Sequence, residues 1–215
     1  MEIKPLVIVG ASGFGREVYR YIQDINRVKP EWDVLGFLDE NLTGQTVEGV
    51  MILGPDSLLK DMDPKPWVTV AIADPTIRRR VVSKLEQYGV EFATIIHPTV
   101  SITEHSKIGR GVIMCLGNLL TTNINIGDFC IFNVYITVGH DTEIHDYVSI
   151  MSNTDIGGDV VIGEGCYFGL GCTVINAVNI GAWSTIGAGS VVVSDIPSEV
   201  TAVGVPARVI KSKTV

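Results

Sequence analysis

Between Ile96 and Val192 a sizeable apolar residue recurs every six positions. The column runs Ile96, Ile102, Ile108, Met114, Leu120, Ile126, Phe132, Val138, and on through Ile144, Ile162, Phe168 and Ile186 to Val192 without an insertion. At a background of roughly 45% apolar residues, chance yields such an unbroken column about once in a million sequences. Two residues before each of these lies a second column, nearly all small or β-branched: Val112, Ile124, Cys130, Ile136, Val148, Thr154, Cys166, Cys172. A period of six fits neither a helix at 3.6 nor a plain strand at two. It fits short strands that each turn two residues inward, the larger at mid-strand and the smaller beside a corner. Three such sides make a coil of eighteen, so Ile108, Ile126, Ile144, Ile162 and Ile180 stack on one wall. This is the pattern of a parallel β-helix with a prism cross-section, in which each coil buries its apolar face only against the coils above and below.

The repeat occupies residues 96–215, and residues 1–95 require a different architecture. There the apolar runs Leu6–Val9, Val34–Leu38, Val50–Leu53 and Val68–Ala73 alternate with helical patterns over Arg16–Ile25 and Thr76–Tyr88. Strands alternating with helices predict a small parallel sheet covered on both faces, a Rossmann-like α/β domain. No apolar run reaches the length of a membrane span, and the N-terminus lacks the basic-then-apolar order of a signal peptide, so a cytoplasmic protein is expected. A formal net charge of −8 argues against nucleic acid, whose phosphates need a basic footprint. Cys130, Cys166 and Cys172 fall in the small inward column, where a thiol packs as a small hydrophobe; only Cys115 falls elsewhere, and no metal is expected.

Ligands of open α/β sheets bind at the carboxyl ends of the strands. Three loops meet that description: Gly10-Ala-Ser-Gly-Phe-Gly15, Asp39-Glu-Asn41, and Ala73-Asp74. The glycine loop either brings backbone N–H groups and a helix N-terminus against a phosphate or simply turns a tight corner. Its order, Gly-x-x-Gly-x-Gly, does not match the dinucleotide fingerprint. Asp39 is placed to accept a ribose or sugar hydroxyl. On the prism, Val138-Gly-His-Asp141 puts His140 two residues past an inward position, therefore at a corner, with Asp141 as its carboxylate partner. A histidine oriented by an acid removes protons near neutral pH. After Val192 the column fails at Ser198, which predicts the end of the prism and an extended exit through Pro197 and Pro206. Arg208, Lys211 and Lys213 then either serve an anionic ligand or form a solvated terminus.

Over nearly its whole length the chain resembles the bacterial hexapeptide-repeat acetyltransferases that act on sugars and nucleotide-linked sugars in surface-glycan biosynthesis. The resemblance rests on Gly-Ala-Ser-Gly-Phe-Gly at 10–15, Phe-Leu-Asp-Glu at 37–40, Ile-Ile-His-Pro at 95–98, Val-Gly-His-Asp at 138–141, Ile-Gly-Ala-Gly-Ser-Val-Val at 186–192 and Gly-Val-Pro-Ala-Arg at 204–208. It implies a Rossmann-like N-terminal domain on a left-handed parallel β-helix, a homotrimer, and acetyl-CoA held between adjacent prisms. By the same resemblance His140 is the general base and Asp141 its partner. Ser149, Leu170 and Ala188 meet the cofactor; Arg208 or Lys211 is expected near its phosphates because these cations cluster beyond the last coil. Gly10, Ser12, Gly13, Phe14, Asp39, Glu40, Asn41 and Ala73 meet the nucleotide sugar. Phe14 stands where many members carry histidine, and Ala73 where glycine is frequent.

Two other functions fit a prism of this kind. A γ-type carbonic-anhydrase-like enzyme holds a metal on three histidines, and His105, His140 and His145 are the candidates; however, His105 and His140 lie thirty-five apart, one residue out of phase with two coils. A non-catalytic trimeric scaffold has no use for an intact His140-Asp141 pair.

Overall fold

Throughout the repeat, residue n pairs with residue n+18. Ile126 pairs with Ile144 on the first face, Phe132 with Ile150 on the second and Val138 with Ile156 on the third, all parallel. The computed structural model describes residues 3–212. The chain divides at Pro98/Thr99 into two units, a boundary a few residues past the expected one at 95/96. The C-terminal unit is the expected left-handed β-helix of two-residue strands. Phe132, Val138, Ile150, Ile162 and Phe168 are fully buried along its axis, each worth about 1.5–3 kcal/mol of burial.

The small inward column does more than fill space. The Thr142 hydroxyl donates to the Gly157 carbonyl at 3.1 Å, the Cys166 thiol to Gly181 at 3.1 Å and the Cys172 thiol to Gly187 at 3.2 Å. Each reaches the turn of the next coil, so Ser, Thr and Cys enter the core without leaving a buried donor unmet. At every corner from Gly111 to Gly189 one residue in six takes a left-handed backbone. Most of these are not glycine, among them Asn123, Tyr135, Asp141, Asn153 and Asp159 (φ 53–58°). Asn and Asp bear this conformation at least cost.

The prism does not end where the repeat column fails. Ile196 bridges Ile180, and Thr201 and Ala202 pair with Thr185 and Ile186, an offset of sixteen. Two residues are lost from the last coil, so Ile196 and Ala202 become the buried positions in place of Ser198. The tail is likewise no extended exit: Arg208–Ser212 folds back antiparallel on Val200–Val203. Lys213 lies outside the described residues.

In the N-terminal unit, β1 (Lys4–Val9), α1 (Gly13–Val28), β2 (Trp32–Leu38), β3 (Thr46–Val47), β4 (Val50–Gly54), β5 (Trp67–Val70) and α2 (Pro75–Glu86) form a sheet in the order β3-β4-β2-β1-β5 with its helices. All pairings are parallel except β3 with β4. The chain turns to opposite sides of β1 to reach β2 and β5, which opens a crevice beyond their carboxyl ends. Both helices begin earlier than expected, and α2 does so because the Asp74 carboxylate caps it, accepting from Ile77 N–H at 2.8 Å.

Candidate functional site

The crevice holds a cleft of about 460 Å³ lined by Gly10, Asp39, Glu40 and Asn41 from the expected loops. Gly10 (φ +100°) lines it, and Gly15 packs on Gly10: a Cβ on Gly15 would stand 2.0 Å from the Gly10 carbonyl oxygen, so the tight corner itself demands glycine there. A Cβ on Gly13 would meet nothing nearer than 4.0 Å, so the fold does not explain that glycine. The Asp39 carboxylate accepts from Ala11 N–H at 3.2 Å and Asn41 N–H at 3.1 Å, tying two strand-end loops together while keeping lone pairs for a ligand. Ser12 and Gly13 are exposed and Phe14 half-buried at the start of α1, none of them on the cleft lining; the Ser12 side chain makes no cap bond to the helix. Ala73 is half-buried beside the cleft. Its carbonyl and that of Ile72 accept from the buried Arg78 guanidinium at 3.1 and 2.7 Å, which fixes the loop after β5.

The cleft also draws on residues that no motif singled out: Asp56, Ile77, Arg80, Val81 and Lys84. On α2, positions 77, 80, 81 and 84 follow i, i+3, i+4, i+7 and so share one face, while Val82 and Leu85 are buried on another. That second, part-charged stripe was the available signal. Lys84 Nζ donates to Asp56 Oδ1 at 2.5 Å, and this bond raises the lysine pKa above its ordinary value.

On the prism, His140 is exposed at the corner after the Thr137–Val138 strand. Its Nδ1 lies 2.8 Å from Asp141 Oδ2, and the other oxygen of Asp141 accepts from Asn123 Nδ2 at 2.6 Å. These two bonds, that from Asn123 first, hold the Asp141 carboxyl below its ordinary range, so it stays ionised and can only accept. Nδ1 therefore carries the hydrogen, and Nε2, which lies over Gly158 of the next coil, keeps its lone pair. Such an arrangement can accept a proton at the ring nitrogen that Asp141 does not hold.

Leu170 and Ala188 are both exposed and stack one coil apart, but at the corner after the second face. One prism thus keeps His140 and the Leu170–Ala188 pair on separate edges. Arg208 and Lys211 are exposed on the strand that continues the second face, and Arg208 Nη1 donates to the Ala207 carbonyl at 2.8 Å. Ser149 is fully buried and presents no surface to a ligand in the single chain.

For a metal, the described residues offer one cluster: ligand atoms of His140, Asp141 and Asp159 lie within 4.8 Å of one another. His105 and His145 do not join it; they sit beside Glu104 and Glu143 at 3.7 and 3.5 Å. Among the described residues no helix is long and apolar enough to cross a membrane.

Comparison with known proteins places this geometry. Residues 5–85 match the family model described as the PglD N-terminal domain, and residues 141–176 the bacterial transferase hexapeptide model of six repeats. The chain is 36% identical over 210 residues to GDP-perosamine N-acetyltransferase of Escherichia coli O157:H7, covering 95% of each. Among solved structures it is similar to PerB of Caulobacter crescentus in complex with CoA and GDP-perosamine (TM-score 0.87, 30% identity, 98% of this chain and 99% of that one). It is also similar to the acetyltransferase domain of PglB from Neisseria gonorrhoeae in complex with acetyl coenzyme A (TM-score 0.90, 28% identity, 97% and 100% covered).

Proposed function

The chain belongs to the hexapeptide-repeat sugar acetyltransferase family, and from that premise we propose that it moves the acetyl group of acetyl-CoA onto the amine of a nucleotide-linked amino sugar in the cytoplasm, with His140 as general base. The observation that carries this reading is the 2.8 Å bond from His140 Nδ1 to a carboxylate, which leaves Nε2 free to take a proton. Nε2 removes one proton from the sugar ammonium and frees its lone pair. The amine nitrogen attacks the thioester carbonyl carbon, forming the C–N bond. Collapse of the tetrahedral intermediate breaks the C–S bond, and the departing thiolate takes the second nitrogen-bound proton, giving amide and free CoA. His140 then releases its proton to solvent. All four cysteines are buried, which favours direct transfer over an acetyl-cysteine.

The N-terminal cleft holds the nucleotide in this reading. Asp39, with Glu40 and Asn41, meets ribose or base hydrogen-bonding groups. The cations Arg80 and Lys84 on the lining suit the diphosphate, while the α1 N-terminus with Ser12, Gly13 and Phe14, off the lining, offers backbone N–H groups to any part of the ligand that extends beyond the cleft. Leu170, Ala188, Arg208 and Lys211 offer a surface for acetyl-CoA, with the cations toward its phosphates. Because that surface and His140 lie on different edges of one prism, a site using both takes them from two chains, and the protein works as a homotrimer.

A mixing experiment tests the assignment. His140→Ala and Ala188→Trp are each expected to be inactive with acetyl-CoA and GDP-perosamine, followed by free-thiol release. Refolded together, random assortment in a three-fold ring restores about a quarter of wild-type activity. A mixture that stays inactive overturns the shared site. Wild type that releases no thiol with GDP-, UDP- or dTDP-linked amino sugars overturns the transferase reading.

A further inference from the structure

Beside His140 stands a second carboxylate that the scheme above leaves unused. Asp159 follows Asp141 by one coil, at the same corner and with the same left-handed backbone (φ 55° against 58°). Its N–H donates to the His140 carbonyl oxygen at 2.8 Å, which fixes one coil on the other at this point. The carboxylates differ in what they already hold. Asp141 has one oxygen on His140 and the other on Asn123. The Asp159 carboxylate has no side-chain or backbone partner among the described residues, yet it lies within 4.8 Å of the other two ligand atoms. One coil on from His140, and just before Asp159 in the chain, stands Gly158. A Cβ there would come within 2.7 Å of His140 Nε2 and Cε1, so the imidazole occupies the space that any side chain would need. The reactive nitrogen is thereby set over Gly158, next to Asp159.

We infer that Asp159 is a specificity-determining carboxylate that draws the acceptor's ammonium to His140 Nε2 and selects amine over hydroxyl. The inference rests on His140 being the base. An ammonium carries a positive charge and three N–H donors: one goes to Nε2, and a second needs an acceptor that Asp141 cannot spare. Asp159 supplies it, as a charge-assisted hydrogen bond. A hydroxyl has a single hydrogen. Once that points at Nε2, only oxygen lone pairs are left to face an ionised carboxylate, which is a repulsion. After transfer the nitrogen is a neutral amide, so the attraction that held the reactant does not hold the product.

The test uses the full-length protein with GDP-perosamine, and the nucleotide sugar carrying hydroxyl in place of its amine as a competitive inhibitor. Asp159→Asn is expected to raise KM for GDP-perosamine about tenfold with kcat changed less than about twofold. The Ki of the hydroxyl counterpart stays the same or falls, and Asp159→Glu restores most of the lost affinity. An unchanged KM in Asp159→Asn overturns the inference, and so does equal weakening of both ligands. His140→Ala, measured alongside, separates the two levels. Near-native turnover there removes the base assignment itself, whereas an inactive His140→Ala with an unaffected Asp159→Asn removes only the role of Asp159.

Discussion

In the prism a residue's neighbours follow from arithmetic; in the N-terminal sheet they do not. Asp141 lies one coil above Asn123 and one below Asp159, and each of those relations is a step of eighteen. The cleft of the other unit gathers Asp39 from the end of β2, Asp56 from a short 3-10 turn and Lys84 from the last turn of α2, positions with no common period. A closed repeat converts sequence separation into spatial contact, and an open sheet converts only strand ends into a site. The prism is thus suited to holding a few reacting atoms at fixed spacing. The crevice is suited to a larger ligand met by residues from many places.

That contrast can be broken by substitutions chosen from each side. The largest expected effect is at His140: His140→Ala lowers kcat by about 10²–10⁴, the usual contribution of a general base, while nucleotide affinity measured by calorimetry stays at the wild-type value. A matching loss of nucleotide affinity would erase the division between chemistry and binding. Next comes Lys84→Met, which removes a cation from the cleft and leaves Asp56 unneutralised. It is expected to raise KM for the nucleotide sugar about 10- to 100-fold, one charged hydrogen bond being worth about 1.5–3 kcal/mol, with kcat at saturation unchanged. A fall in kcat instead would show the cleft taking part in the reaction.

The smallest effect sharpens the picture at the corner itself. Asn123 and His140 hold the Asp141 carboxyl below its ordinary value of 3.8. A depressed folded-state pKa stabilises the native state fully above the unfolded value and loses that contribution as pH falls through the folded one. Thermal melts should therefore show wild type slightly above Asp141→Asn at pH 6, with the gap closing below about pH 4. A gap that persists to pH 2 would mean that the effect is packing and not charge.

How far the sequence could be read follows the same line. The six-residue column made the prism legible, and adjacency made His140-Asp141 legible. Asp159 was within reach, since one coil added to Asp141 lands on it, but no motif marks a lone aspartate in a turn. The end of the prism was misread because a fixed period cannot register a coil shortened to sixteen; Ser198 occupied the expected phase while Ile196 took the wall. In the sheet unit the strand-end loops were legible from their glycines and acids. Arg80 and Lys84 were not, because a cation on an amphipathic helix reads the same whether it faces solvent or a ligand. Arg78 was hidden for a related reason: its burial is made possible by two carbonyls of the loop after β5, and nothing local announces them.

The strand Arg208–Ser212, folded back on Val200–Val203, bears on how these molecules behave in a crowd. A β-helix that simply stopped would present a stack of unpaired backbone donors and acceptors at its open end, ready to take up the first coil of another molecule and grow into a filament. Here the second face ends in a strand that runs against the direction of the coils, and that strand carries exposed Arg208 and Lys211. Charged side chains on an edge strand are a common defence against self-association of exposed sheet ends. The same few residues that continue the second face thus also place charge on its exposed edge.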